Sequence, residues 1–186
     1  MNQVEMNKQA KLSDHFTLGE LTRSKSHPEV YNIPSHVHIE NLKRVCVWLE
    51  ALRERYNRRY VLAGAGGQVP KVEVFGENFI SRPDPGGARP DPEEPIVITS
   101  GYRSAELNRK VGGVATSNHL TGCAVDIRVA GKEQLIRYAC ILLDYADETR
   151  QDFDELLLEH GANGVIWLHF AVRAQDNRRK ISFLKA

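Results

Sequence analysis

Ser117-Asn118-His119-Leu120-Thr121-Gly122-Cys123-Ala124-Val125-Asp126 joins a polar turn to a run of alternating side chains, and the architecture reads outward from it. Gly122 permits a sharp approach at the turn, and Ala124 to Val129 then reads as a strand. By the two-residue period, Ala124 and Asp126 share one face of that strand, which leaves Cys123, Val125 and Ile127 for the core. His119 at the end of the turn and Asp126 on the strand are therefore expected on the same side.

Upstream, Ile96-Val97-Ile98-Thr99 looks like a buried strand that leads through Ser100-Gly101-Tyr102-Arg103-Ser104 into a short helix from Ala105 to Val111. Farther back, Ile39, Leu42, Val45, Cys46, Leu49, Leu52 and Tyr56 recur at helical spacing, with Pro34 and Ser35 as start signals. Phe16 to Leu21 reads as a short docking helix, because Thr17 stands three residues before Glu20 as in a capping box. Downstream, a helix is expected from Lys132 to Asp147. A hairpin follows, with strands near Glu155 to Glu159 and Val165 to Val172 joined through Gly161-Ala162-Asn163-Gly164. Val165, Trp167 and His169 share one face of the last strand, and the run Arg178-Arg179-Lys180 reads most simply as a solvated tail.

Residues 58–95 interrupt this pattern with Gly64, Gly66 and Gly67, a β-like VEVF run, and Pro83, Pro85, Pro90, Pro92 and Pro95. They read as a Gly/Pro-rich insertion within a single domain spanning residues 1–186. A chain of 186 residues is long enough for one full core. Its 25 lysines and arginines against 24 acidic residues give no electrostatic reason to expect a nucleic acid partner. No stretch approaches the about 18 apolar residues of a spanning helix, and the first residues lack the apolar centre of a secretion signal. No membrane insertion and synthesis in the cytoplasm are the expectation. Cys46, Cys123 and Cys140 are widely spaced, without a CxxC pair, and read as reduced and mostly buried.

Two imidazoles and a carboxylate, from His119, Asp126 and the later His169, suit zinc. Three protein ligands leave a coordination position for water or substrate, whereas a closed structural site would use four. His169 on a neighbouring strand of the same sheet would make the set rigid.

The SGYRS segment, the SxHxxGxAxD block from Ser117 to Asp126 and the final Trp167-Leu168-His169 resemble the zinc D-Ala-D-Ala carboxypeptidases and phage cell-wall endopeptidases. These form the lysostaphin, D-Ala-D-Ala, sonic hedgehog class of metallopeptidases. The early FTLGELTRS segment and the long helix also resemble compact members of that group. The resemblance implies an α+β fold of the hedgehog/D,D-peptidase type, an antiparallel sheet flanked by helices. It implies one zinc ion on His119, Asp126 and His169, with Arg103 supplying positive charge to a substrate carbonyl or carboxylate and Ser117 contacting substrate. The substrate so implied is a peptidoglycan stem peptide, met at the cell wall or in the periplasm by a monomeric enzyme.

Many relatives place a catalytic glutamate three residues before the last histidine, where this chain has Ile166. Glu159 is the preferred replacement as general base, since compact members often carry a glutamate there, with Glu155 the alternative under another strand register. The missing glutamate also leaves a second expectation, a zinc-stabilised cell-wall-binding module without turnover.

Overall fold

The computed structural model describes residues 6–64 and 94–185, with side chains from 58 to 64 left aside. Its centre is the strand begun by the quoted stretch, β2 (Ala124–Arg128), with Val125 and Ile127 fully buried. β2 pairs antiparallel with β1 (Ile98–Ser100) on one side and with β4 (Ile166–Ala171) on the other. β4 pairs antiparallel with β3 (Glu155–His160), and β3 pairs in parallel with the edge strand β5 (Lys180–Lys185). The sheet order is therefore β1-β2-β4-β3-β5. The α+β class and the hairpin hold, and the antiparallel expectation holds for four strands. β5 was not anticipated: Arg178-Arg179-Lys180 leads into this strand instead of forming a solvated tail.

Two helices cover the apolar face of the sheet, α2 (His36–Gly64) and α4 (Lys132–Thr149), with the short α1 (Leu18–Thr22) and α3 (Ala105–Lys110) beside β1 and the turn. The three- and four-residue spacing of Leu42, Val45, Cys46, Leu49 and Leu52 puts all five at 0% exposure on one stripe of α2. Trp48 packs against Phe170 of β4 at 5.2 Å between ring centroids and edge-on to Tyr145 of α4 at 4.8 Å, so aromatic contacts lock both helices to the sheet. Cys46 and Cys123 are buried and Cys140 is exposed; burial pushes the Cys46 thiol up to about 12.

The helical period carries α2 to Gly64, farther than the Tyr56 at which the sequence pattern fades, so the first residues of the expected insertion are helical. Residues 65–93 of that insertion, including the VEVF run, lie outside the described residues. Its far end is anchored: Asn57 Oδ1 accepts from the Glu94 N–H at 2.9 Å and Asn57 Nδ2 donates to the Glu94 carbonyl at 3.2 Å.

The N-terminal segment docks as its capping box suggests. The Thr17 N–H donates to Glu20 Oε2 at 2.8 Å, and the Glu20 N–H reaches back to Thr17 Oγ1 at 3.4 Å. α1 then presses on the SGYRS loop so closely that a Cβ on Gly101 would lie 2.2 Å from the Leu21 carbonyl oxygen, which only glycine avoids. Buried Asn32 ties the two together: Nδ2 donates to the carbonyls of Thr22 and Tyr102 at 2.7 and 2.9 Å, and Oδ1 accepts from the Ser104 N–H at 2.6 Å. Asn32→Ala leaves three backbone groups without these partners, and a loss of roughly 2–4 kcal/mol is expected in urea unfolding. A loss below about 0.5 kcal/mol, the size of an ordinary surface change, would show that Asn32 is not the clamp.

Candidate metal centre

β2 and β4 pair so that Asp126 stands directly opposite His169. His119 reaches the same point from the 3-10 turn Asn118–Thr121, which Ser117 caps by accepting from the His119 N–H at 3.3 Å. The turn closes on Gly122, whose φ of +71° disfavours a side chain and where an added Cβ would lie 2.7 Å from the His38 carbonyl oxygen. One ligand atom from each of His119, Asp126 and His169 lies within 4.8 Å of the other two. The structure thus brings together the three residues singled out as metal ligands.

Hydrogen bonding settles which ring nitrogen of His119 faces inward. Its Nδ1 lies 2.7 Å from the Gly101 carbonyl oxygen, which can only accept, so Nδ1 carries the proton and Nε2 presents a lone pair. That lone pair faces Asp126 Oδ1 at 3.2 Å and His169 Nδ1 at 3.3 Å, while His169 Nδ1 lies 2.9 Å from the same carboxylate oxygen. Two imidazole nitrogens and a carboxylate oxygen converge, and one proton on His169 is all that separates three electron-rich atoms.

The electrostatics agree. Burial works against an ionised Asp126, but His119 and His169 overcome it and hold its carboxyl far below the ordinary range. Burial also opposes a charged His169, yet Asp126 and Glu155 outweigh it and raise that group to about 9. His119 is lowered by its burial, consistent with a neutral ring. A pocket that draws positive charge between nitrogen and oxygen donors fits a zinc-type cation.

Arg103 also lies at the site. Its Nη2 donates to the second Asp126 oxygen at 3.2 Å, which turns Oδ1 towards the histidines, and its backbone N–H donates to the His119 carbonyl at 3.1 Å. Ser117 has a local role as the turn cap, beside the substrate contact that the resemblance implies.

The two candidate glutamates are placed differently from the register argument. Glu155 and Glu159 are four residues apart on β3, so they share a face under any register, and a one-residue shift would move both. Both stand on the His169 face, Glu155 opposite Ala171 and Glu159 opposite Trp167. Ile166, three residues before His169, is on the opposite face and packs against the core. On this regular strand a side chain at position 166 is directed to the face away from the centre.

The surroundings of the two glutamates differ. Burial pushes Glu159 above the ordinary carboxylate range; the Asp126 charge adds to this, and His169, Trp167 and Arg103 oppose it. Glu155 is held down at about 2, first by His169 and, against the cost of burial, by Asn118 and Lys180.

Several participants were not singled out from the sequence. Asn118 Nδ2 donates to Asp154 Oδ2 at 2.7 Å and to Glu155 Oε2 at 3.0 Å. Asp154, 0% exposed, is held by Arg178 through two bonds of 2.9 and 2.7 Å and by Arg173 at 2.8 Å. The DFDE segment and the later basic run carried the charges, but nothing in their spacing showed that they meet.

Among known proteins, a family model described as Peptidase M15 matches residues 88–146. No curated protein matches the chain at a significant level. The matched stretch contains Arg103, Ser117, His119 and Asp126 and ends before Glu155, Glu159 and His169. Over that stretch the chain is similar to the M15 peptidases, whose zinc dependence agrees with the His119, Asp126 and His169 cluster and supports a zinc metallopeptidase of that family in the broad sense.

Proposed function

We propose that this protein is a zinc-dependent peptidase of peptidoglycan stem peptides, trimming a terminal D-Ala or cutting an internal bond. The observation that carries the reading is the convergence of His119 Nε2, Asp126 Oδ1 and His169 Nδ1, a three-ligand set that leaves room for water and substrate. The cell-wall substrate is supported by the resemblance of SGYRS, SxHxxGxAxD and the final WLH to cell-wall peptidases. Among the described residues no helix is long and apolar enough to cross a membrane.

Zinc in this site would act as a Lewis acid and lower the pKa of water to about 7. The protein's own groups do the rest. Glu159 accepts a proton from the attacking water and returns it to the leaving amine; the burial that raises its pKa makes it a better base than an exposed glutamate. Arg103 keeps Asp126 oriented and places positive charge beside the carbonyl oxygen or terminal carboxylate of the substrate. Ser117, at the mouth of the turn, contacts the peptide.

Purified protein is expected to hold close to one zinc, and His119→Ala or Asp126→Ala should lose most of it; full occupancy in both variants would defeat the ligand assignment. Digestion of purified peptidoglycan, with mass analysis of the products, should show stem-peptide cleavage that a chelator abolishes. Glu159→Gln should keep its zinc and lose turnover by something like 10²-fold or more. Undiminished turnover in that variant would move the base elsewhere, and a zinc-loaded wild type inert on every stem peptide would favour the binding module.

A further inference from the structure

His119 has its outer nitrogen satisfied by the Gly101 carbonyl, whereas His169 has a buried outer nitrogen, Nε2, with no hydrogen-bond partner. Its neighbour is Glu155 Oε2 at 3.5 Å, too long for a hydrogen bond and within the range of an ion pair. The two oxygens of Glu155 are divided between tasks. Oε1 faces cations, Arg178 Nη2 at 2.9 Å and Lys180 Nζ at 3.3 Å. Oε2 accepts from Asn118 Nδ2 at 3.0 Å and is the oxygen turned to His169.

For His169 to offer the lone pair of Nδ1 to a cation, its remaining proton must sit on Nε2. A buried N–H needs an acceptor, and Glu155 is the carboxylate placed to be one.

We propose that Glu155 is the positioning residue of the metal centre. It accepts the His169 Nε2–H when Nδ1 holds the cation, and Asn118 and the basic entry to β5, Arg178 and Lys180, fix it in that place. This rests on the zinc-site reading of His119, Asp126 and His169 and adds to it a support from the C-terminal segment. Glu155 touches neither cation nor substrate; it acts through the ring of His169, as outer-shell carboxylates of metal-bound histidines do. Asn118 links the two halves of the site, since it stands beside His119 in sequence and holds the carboxylate that orients His169.

The test is zinc affinity, measured by competition with a chromophoric chelator, on wild type, Glu155→Ala, Glu155→Gln and Arg178→Ala. Glu155→Ala should bind zinc about 10- to 100-fold more weakly. Glu155→Gln, whose amide oxygen can still accept the N–H, should recover part of that loss, and Arg178→Ala should show a smaller loss. In zinc-loaded wild type, imidazole ¹⁵N spectra should show His169 protonated at Nε2 with a slowly exchanging ring proton, and that proton should exchange faster in Glu155→Gln. A folded Glu155→Ala with wild-type zinc affinity overturns the proposal while leaving the metal site standing. So does a His169 ring bound through Nε2, a result that decides the matter even if Glu155→Ala fails to fold. A wild type that binds no zinc removes the metal site and this proposal together.

Discussion

The carboxylate of Asp126 is the point on which the site turns. It is part-buried, faces His169 across the β2–β4 ladder, takes an Arg103 guanidinium on its outer oxygen and leaves its inner oxygen to two imidazoles. A one-residue slip of that ladder would carry His169 to the apolar face, so register and ligand geometry are a single constraint. Ala124, on the same face two residues earlier and fully buried, has a side chain small enough to leave room beside the carboxylate. The fold answers with fully buried neighbours on the opposite face, Val125 and Ile127 on β2 and Leu168 and Phe170 on β4, whose packing resists the slip.

His119 depends on a part of the chain remote in sequence. Its ring is oriented by the Gly101 carbonyl, and the loop that carries Gly101 lies against Leu21, whose carbonyl accepts from the Tyr102 N–H at 2.7 Å. Asn32 completes the clamp. The capping box at Thr17 thus does more than start a short helix: it fixes the wall against which the metal-facing loop rests. Ligands held by side-chain and backbone bonds from behind need little reorganisation to receive an ion.

What could be read from the sequence follows the range of the interactions. The turn, the strand and the two residues His119 and Asp126 lie within one short stretch, where glycine placement and two-residue alternation decide direction. The helices α2 and α4 were visible from their apolar period, and the final hairpin from its Gly161–Gly164 turn. β5 was hidden, because its strand pairs in parallel with β3 and its side chains are largely exposed, so no alternation of apolar and polar residues marks it. The pairing of Asp154 with Arg178 could not be read either, since a buried acid and a distant arginine carry no pattern until the strands meet. Yet Asp154 is fully buried, and removing its partners would leave an uncompensated charge at a cost of roughly 3–5 kcal/mol.

The two glutamates of β3 show why residue type and face are insufficient to assign a role. Four residues apart on one strand, they share direction and neighbourhood, and the choice between them lies in what else reaches each carboxylate. Glu155 faces His169 first and then Asn118 and Lys180, so its charge is stabilised and it is held at about 2, a poor proton acceptor. Glu159 is half-buried opposite Trp167, and burial dominates, so its affinity for a proton rises. Environments that push two neighbouring carboxyls apart commonly separate an acid–base group from an electrostatic one. On that argument Arg178 and Lys180 keep Glu155 a charged carboxylate at one end of β3, whereas burial raises the proton affinity of Glu159 at the other.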